Sequence, residues 1–298
     1  MSAGDTRAGD RFTLDRSRVR RSFERASASY DRAAVLQTDV RKRLLARLEY
    51  VSLAPQAIVD AGCGTGHASR ELKRLYPRAL VVALDLAPGM LRAAARQRGW
   101  LRRFERVCAD AQRMPLADAS VDLLYSNLML QWCDDLDALF AECRRVLKPR
   151  GLLTFSTFGP DTLKELRAAW ASVDAHTHVH RFIDMHDIGD ALMRAGLTEP
   201  VLDVEPFTLT YADTFTLMRD LKAIGAHNAA AGRAPGLTGR GRLSAMSAAY
   251  ERYRTSGRLP ATYEVVYGQA WGQALGARPG ASGEVRIPAT SIGRRTGG

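Results

Sequence analysis

Short apolar runs alternate with amphipathic segments along most of the chain. The runs predict β-strands at 57–61, 80–85, 106–110, 121–126, 152–158, 202–211 and 262–270. Between them, apolar residues recur every three or four positions, which predicts α-helices. Strands that alternate with helices are typical of a largely parallel sheet with helices on its faces. The pattern therefore predicts an α/β fold with a seven-strand sheet.

Helices are predicted before, between and after these strands. The segment 38–51 places Val40, Leu44, Leu45 and Leu48 on one helical face, which predicts that this face is buried. The other predicted helices are 19–30, 67–76, 135–147, 161–172, 184–195, 214–224 and 241–254, with one more that begins at Pro88.

The two ends of the chain differ from the rest in composition. Residues 1–15 and 273–298 are predicted to be disordered, the second segment because Gly, Ala, Ser and Arg dominate it. Residues 16–272 are predicted to form one domain. Within it, the run 148–151 is expected to turn into the fifth strand, and Pro206 is expected to break the sixth.

The first predicted strand leads into a cluster of glycines. Asp60 is followed by Gly62, Gly64 and Gly66, and a predicted helix comes next. Glycines permit positive φ angles and let a ligand approach the backbone closely. The following strand ends in Asp85, an acid that can accept hydrogen bonds from both hydroxyls of a ribose. Strand, glycine loop, helix, strand and acid form the layout of a nucleotide-binding βαβ unit.

The spacing of this loop argues against the commoner nucleotide ligands. Its glycines stand at alternate positions, unlike the G-x-G-x-x-G of dinucleotide loops, and no Walker lysine follows. Asp60 would repel a phosphate, so the loop favours a ligand with a cationic end. S-adenosylmethionine fits because it carries an amino acid, a sulfonium and a ribose. The alternative is a plain glycine turn between a strand and a helix.

Composition indicates a soluble protein. Of the 298 residues, 46% are hydrophobic and 25% are charged. No apolar run approaches the ~20 residues of a membrane span, and the polar N-terminus lacks the apolar centre of a signal peptide. The 4 cysteines show no disulfide or metal spacing. A cytoplasmic protein without a membrane partner is therefore expected.

The net charge of +11 indicates an acidic partner of some kind. Nucleic acid is the first candidate, but the arginines lie along predicted helices rather than in one tract, so no nucleic-acid partner is expected. The arginine and alanine content is also typical of a GC-rich genome. The more specific interpretation is that the electrostatic field of this basic chain attracts an acidic protein or an acidic small molecule.

Part of the chain resembles the class I, seven-strand methyltransferases that use S-adenosylmethionine. The resemblance lies within residues 57–158, in the segments VDAGCGTG, ALDLAPGML, CADAQRMPL and VDLLYSNLMLQW. It implies a Rossmann-like sheet of seven strands, with helical insertions that form a lid over the site.

At matching positions, the resemblance also implies the contacts of the cofactor. Asp60, Gly62 and Gly64 would hold the methionine amino group, and Asp85 would bind the ribose hydroxyls. The remaining implied contacts are Leu86 and Met90 against the adenine, Asp110 and Ala111 at its edge, and Ser126 and Asn127 at the methionine end.

A narrower resemblance covers nearly the whole chain, from about residue 19 to 271. The segments 23–37, 126–132, 181–182, 218–226, 232–233 and 259–263 are similar to those of biotin-pathway O-methyltransferases that esterify malonyl-acyl-carrier protein. The resemblance implies S-adenosylmethionine as cofactor and malonyl-acyl-carrier protein as partner. A monomer is expected.

Two other functions stay open at this point. The segments 158–163 and 260–263 also resemble a relative that assists respiratory complex I assembly and hydroxylates an arginine. The runs 221–226 and 232–233 favour the biotin-pathway family over that relative. A different small-molecule methyltransferase with the same core is the other alternative.

Methylation of a malonyl group would require few catalytic groups from the chain. Its carboxylate is ionised at neutral pH and is already a nucleophile, so no general base is needed. The site must align the reacting atoms and exclude water. Arg181, Arg219 and Lys222 are the candidate cations for this carboxylate, with exposed helix charges as the alternative.

Three further features are candidates for the site. Tyr30 and Gln37 precede the core and could close over the cofactor, Tyr30 in the catalytic set and Gln37 as a cofactor contact. Simple helix packing is their alternative. Trp132 could line the pocket for the methyl group or belong to the hydrophobic core. The alternating histidines 176, 178 and 180 lack a completing cysteine or carboxylate pair, so no metal is expected.

Overall fold

The protein is known from a computed structural model, which describes residues 14–99, 103–179, 181–226 and 239–273. Residues 1–13 and 274–298 lie outside this range, so the disorder predicted at the two ends stays a prediction. His180 and the run 232–233 also lie outside the described residues.

Seven strands form one mixed sheet, as the sequence predicts. They are Ala57–Ala61 (β1), Leu80–Asp85 (β2), Glu105–Cys108 (β3), Val121–Asn127 (β4), Leu147–Phe158 (β5), Thr198–Tyr211 (β6) and Leu259–Trp271 (β7). Their order is β3-β2-β1-β4-β5-β7-β6. Strands β1 to β5 pair in parallel, and β7 is antiparallel to both of its neighbours. The strand order reverses between β1 and β4, and open α/β sheets bind ligands at such a switch point, beyond the carboxyl ends of the strands.

Helices cover both faces of the sheet. They are Arg16–Ala26 (α1), Tyr30–Ala33 (α2), Val35–Arg47 (α3), His67–Leu75 (α4), Pro88–Ala94 (α5), Leu136–Val146 (α6), Lys164–Ala171 (α7), Met185–Arg194 (α8), Thr214–Ala223 (α9) and Arg240–Tyr250 (α10). Within the described residues, no helix is both long enough and apolar enough to cross a membrane.

The first predicted helix, 19–30, is wrong in extent because the chain breaks between α1 and α2. Ser27 Oγ donates to the carbonyl of Glu24 at 2.9 Å. Ser29 Oγ donates to the carbonyls of Ala26 at 3.2 Å and of Ala223 at 3.0 Å. Serine hydroxyls that bond to nearby carbonyls compete with helix continuation. The break turns α2 and α3 towards the glycine loop.

Two expectations about the later strands are also wrong. Strand β6 runs unbroken through Pro206, which stands opposite Glu264 of β7. This strand lies at the edge of the sheet, where a missing N–H leaves no second neighbour unsatisfied. The expected turn at 148–151 is part of β5, where the pairing with β4 shifts register.

Strands β1 and β4 are buried on both faces. Ile58 and Leu123 belong to one hydrophobic cluster, and Val59 and Leu124 belong to another on the opposite face. Successive side chains of a strand point to opposite faces, so burial on both sides requires the continuous apolar runs seen in the sequence. These two strands form a rigid support for the loops that follow them.

Candidate active site

The glycine loop after β1 depends on three left-handed backbone positions. Gly62, Gly64 and Gly66 have φ angles of 73°, 53° and 82°. A Cβ on Gly62 would lie 2.3 Å from Cγ of Met129, and one on Gly66 would lie 2.7 Å from Cβ of Ala94. A Cβ on Gly64 would meet no heavy atom of the described residues within 4 Å. The outer two glycines therefore permit close packing, whereas Gly64 faces open space into which a ligand fits.

Asp85 holds the glycine loop from the end of β2. Its Oδ2 accepts the N–H of Gly64 at 2.9 Å, and its Oδ1 accepts the N–H of Ala87 at 2.8 Å. Burial raises the pKa of this carboxyl to about 6, against the lowering effect of these backbone hydrogen bonds. It is mostly ionised at pH 7, and each oxygen keeps a lone pair for a further donor. A pair of ribose hydroxyls supplies two such donors.

Asp60 is the second carboxyl of the site and is almost fully buried. Ser69 Oγ donates to its Oδ2 at 2.5 Å. Burial raises its pKa to about 7, and the charge of Asp85 adds to the increase. This carboxyl is therefore divided between its protonated and ionised forms at neutral pH. A cation placed beside it would favour the ionised form.

One open cavity, termed the outer cleft, lies beyond the ends of β2 and β3. The structure brings together here most of the residues expected around an adenosine. They are Gly62, Gly64, Asp85, Leu86, Met90, Asp110 and Ala111.

A second cavity, termed the inner cavity, lies on the other side of the glycine loop. It shares Tyr30, Gly62, Gly64 and Asn127 with the outer cleft. Its lining also includes Gln37, Arg41 and Asp60. An extended ligand with an apolar planar end and a charged end fits the two cavities together.

The helix α1 covers the outer cleft and is tied down at both ends. Arg16 donates to Oδ2 of Asp110 at 3.0 Å and to Oδ1 of Asp134 at 2.8 Å. Near the other end of α1, Glu24 accepts the N–H of Gly89 at 2.5 Å. These contacts hold α1, an N-terminal helix, over the outer cleft, whereas the lid expected from the helical insertions stays a prediction.

Aromatic packing closes the same lid against the loop after β4. Phe23 of α1 meets Trp132 edge to face, with ring centroids 5.1 Å apart. Trp132 lines the outer cleft and also a third cavity on its other side. Two roles were expected for Trp132, a wall of the methyl pocket or a place in the core. The structure shows its ring in the lining of two cavities of the site.

The third cavity, termed the apolar chamber, lies between the cofactor-side cavities and helices α7 and α9. Gln37 joins its lining to that of the inner cavity. Aromatic and aliphatic side chains form most of its wall, and its lining also includes Lys222 and His178. The aromatic members are Trp132, Phe158, Trp170, Phe182 and Tyr263.

A fourth cavity, termed the side groove, adjoins the apolar chamber through Gln131, Phe158 and Phe182. Arg181 lies on its wall. The structure thus places two of the three expected substrate cations, Arg181 and Lys222, beside adjacent cavities.

Two of the expected site residues lie apart from these cavities. Arg219 is exposed on α9, and its Nη2 donates to Thr216 Oγ1 of the same helix at 3.4 Å. In the described part of the chain it lines neither the apolar chamber nor the side groove. Ser126 is buried, and its hydroxyl donates to the carbonyl of Ala61 at 2.9 Å. That bond joins β4 to β1, so the structure gives this hydroxyl a role in the sheet.

Tyr30 stands between the outer cleft and the inner cavity. Burial, together with the charges of Asp85 and Asp31, raises its pKa. Its hydroxyl is therefore neutral at physiological pH and keeps a proton to donate. The closure of Tyr30 over the cofactor stays a prediction.

The histidines of the late insertion show no metal-binding geometry within the described residues. His178 stacks on Trp170 with ring centroids 3.7 Å apart, and its Nε2 lies 2.8 Å from Oδ1 of Asp174. Among the described residues, no group of three His, Cys, Asp or Glu side chains could hold a metal ion.

Two arginines of the site were not anticipated from the sequence. Arg16 follows directly after the segment predicted to be disordered. Arg41 looked like one of many helix arginines, although it stands four residues after Gln37 and therefore on the same face of α3. That spacing is the signal that could have found it.

Comparison with known proteins places this geometry in a family. A family model described as a methyltransferase domain matches residues 59–155. The malonyl-[acyl-carrier protein] O-methyltransferase of Methylovorus sp. is 60% identical over 268 residues, which cover 88% of this chain and 90% of that protein. The protein of the same name from Laribacter hongkongensis is 56% identical, over 90% of this chain and 92% of its own length.

A solved structure agrees with the fold. The YcgJ protein of Bacillus subtilis superposes with a TM-score of 0.56 over 77% of this chain and 97% of its own, at 14% identity. At that identity the likeness concerns the fold alone.

Proposed function

We propose that this chain, which belongs to the family of malonyl-[acyl-carrier protein] O-methyltransferases, esterifies the free carboxylate of malonyl-acyl-carrier protein with a methyl group from S-adenosylmethionine. The reaction would stand early in biotin synthesis. The observation that carries the proposal is the adjacency of the cavities. Gln37 lines both the apolar chamber and the inner cavity, and Trp132 lines both the apolar chamber and the outer cleft.

The residues of the two cofactor-side cavities fit S-adenosylmethionine. The outer cleft would take the adenosine, with Asp85 on the ribose hydroxyls and Met90 against the base. The inner cavity would take the amino acid, with its ammonium at Asp60. Gly64 leaves open space where the ligand passes the loop. When bound, the cofactor supplies a methyl group that its sulfonium charge has already activated.

The chain's own task is orientation and the exclusion of water. A malonyl carboxylate is ionised at neutral pH, so no side chain needs to remove a proton. The aromatic wall of the apolar chamber, which includes Trp132 and Tyr263, keeps water from the reacting atoms. An oxygen of the carboxylate forms the new bond to the methyl carbon, and the bond from that carbon to sulfur breaks.

The carboxylate also needs a cation that leaves one oxygen free to react. A guanidinium bound to both oxygens would oppose attack, whereas one donor on the second oxygen would fix the plane of the group. Arg181 and Lys222 stand at the walls where such a donor is needed.

The relatives named above favour ester formation over the other two functions considered. Both carry the same enzyme name and match this chain over most of its length. A cytoplasmic location, a monomeric state and the absence of a nucleic-acid partner stay predictions.

Transfer to malonyl-acyl-carrier protein is the experiment that tests this function. Purified protein with methyl-labelled S-adenosylmethionine is expected to label malonyl-carrier protein in a form that mild base releases, as an ester requires. Acetyl-carrier protein is the matched control, and it should stay unlabelled because it has no free carboxylate. Cofactor binding without any base-labile label on the malonyl carrier would instead favour the arginine-hydroxylase alternative.

Proton release on cofactor binding is a second expected result. The pKa of Asp60 is raised to about 7 in the free protein, and a bound ammonium would lower it. Binding at pH 7 should therefore release roughly half a proton, and affinity should rise with pH between about pH 6 and 7.5. Calorimetry in buffers of different ionisation enthalpy measures this release. Asp60→Asn should abolish it, and equal enthalpies in all buffers for the wild type would exclude Asp60 from the ammonium site.

A further inference from the structure

A histidine and an aspartate form a hydrogen-bonded pair at the wall of the apolar chamber. His178 lies in the lining of the chamber, and its ring stacks on that of Trp170, another lining residue, with centroids 3.7 Å apart and planes 7° from parallel. Its Nε2 lies 2.8 Å from Oδ1 of Asp174. The same oxygen accepts the backbone N–H of His176 at 3.0 Å. The stack and the carboxylate together hold the histidine ring in one orientation.

Asp174 determines which nitrogen of that ring carries the proton. Desolvation raises the pKa of Asp174, but the hydrogen bonds from the N–H of His176 and from His178 outweigh it and hold this pKa below its usual value. The group is therefore a carboxylate at neutral pH, and a carboxylate only accepts hydrogen bonds. The proton of the neutral imidazole then lies on Nε2, which leaves Nδ1 as an acceptor. Within the described part of the chain, Nδ1 makes no hydrogen bond.

Two other polar side chains of the chamber lining are already engaged. Thr162 Oγ1 donates to the carbonyl of Glu264 at 3.1 Å and accepts the N–H of the same residue at 3.0 Å. Gln131 donates to the carbonyl of Leu128 at 2.7 Å, and its Oε1 accepts from Thr157 Oγ1 at 3.2 Å. An amide N–H buried among the aromatic side chains of this wall needs a free acceptor, and the histidine supplies one.

We propose that His178 accepts a hydrogen bond from an amide N–H of the pantetheine arm that presents the malonyl thioester, an inference that rests on the proposed function. The arm of an acyl-carrier protein bears an amide close to its sulfur, separated from it by a short ethylene link. Left without a partner in an apolar cavity, such an amide costs free energy. The charge of Asp174 behind the ring opposes an anion but not a neutral amide. The pair thus recognises the arm, with Asp174 as its positioning residue, and leaves the malonyl carboxylate to a cation.

Two small thioesters separate this role from a merely structural one. The malonyl thioester of N-acetylcysteamine keeps the first amide of the arm, and that of pentanethiol has methylene groups in its place. His178→Phe keeps an aromatic ring on Trp170 but removes the acceptor. This variant is expected to lower kcat/KM for the amide thioester by about 5- to 30-fold, because the buried N–H loses its partner. For the pentyl thioester, kcat/KM should stay within about twofold of wild type.

His178→Asn is the rescue variant. It loses the stack on Trp170 but can place its amide oxygen where Nδ1 stands, so it should recover part of the preference for the amide thioester. A structural role of the ring predicts the opposite order, with the phenylalanine variant nearer to wild type. His186→Phe is the matched control, because His186 also pairs with an aspartate, Asp184, but at an exposed position. It should leave both rates unchanged.

Two outcomes would overturn the assignment. One is an equal loss for both thioesters, or no loss for either, in folded His178→Phe protein. The other is a weaker preference for the amide thioester in His178→Asn than in His178→Phe, since the acceptor would then not matter.

Binding of acetyl-carrier protein tells failure of this assignment from failure of the proposed function. This ligand has the arm but no free carboxylate, so it can bind beside S-adenosylhomocysteine without reacting. If wild-type protein binds it about 5- to 30-fold more tightly than His178→Phe does, yet never methylates malonyl-carrier protein, the site stands and the reaction is rejected. If the malonyl ester forms but His178→Phe keeps the wild-type ratio between the two thioesters, the reaction stands and the site is rejected.

Discussion

Replacing Asp85 by alanine is expected to lower the affinity for S-adenosylmethionine by about 10²- to 10⁴-fold. A charge-assisted hydrogen bond contributes ~1.5–3 kcal/mol, and this carboxylate would accept one from each ribose hydroxyl. The same carboxylate accepts the N–H groups of Gly64 and Ala87, so its loss also frees the glycine loop. Titration calorimetry of the variant against wild type measures the change directly.

Two control variants accompany this experiment, one at a distant carboxylate and one that turns the Asp85 carboxylate into an amide. Asp203 is an exposed carboxylate that pairs with Arg47 on the surface, and Asp203→Ala should bind the cofactor as wild type does. Asp85→Asn should also bind weakly, because an amide nitrogen would face one of two backbone N–H donors. Unchanged affinity in a folded Asp85→Ala protein, as judged by its thermal transition, would remove the ribose from this carboxyl.

Combined loss of Arg181 and Lys222 is expected to have the second largest effect, on the malonyl substrate. Replacing both by alanine should reduce kcat/KM for malonyl-carrier protein by about 10²- to 10³-fold, or ~3–4 kcal/mol of transition-state binding. The reason is that a carboxylate held by no cation is neither oriented nor stabilised at the wall of the chamber. Steady-state kinetics with saturating cofactor measure the loss, and cofactor affinity should stay near wild type.

Arg219 provides the matched control for this pair. The sequence nominated it together with the other two cations, but the structure places it on the exposed face of α9, bonded to Thr216. Arg219→Ala should therefore retain nearly full activity. Full activity in the double variant, or a larger loss in Arg219→Ala than in the double variant, would place the substrate carboxylate elsewhere.

The residues that the structure brings together as the sequence predicts are those whose positions depend on local geometry. Asp60, Gly62, Gly64 and Asp85 lie within one βαβ unit, and its strands and helix place them together whatever the rest of the chain does. Residues that the structure sets apart from the cavities depend on packing between distant segments. Ser126 carries its hydroxyl to the backbone of Ala61, a contact that only the pairing of β4 with β1 creates.

Pattern and spacing by themselves predicted the seven-strand sheet and the glycine loop and favoured a ligand with a cationic end, since apolar runs, glycine positions and an acid at a strand end act over short stretches of chain. The tertiary structure alone decided which charges face the site. Arg16 reaches across the chain to Asp110 and Asp134, and Arg41 and Asp60 meet in one cavity. Helix arginines look alike in sequence, and the cavity that one of them faces depends on how α1 and α3 pack over the sheet.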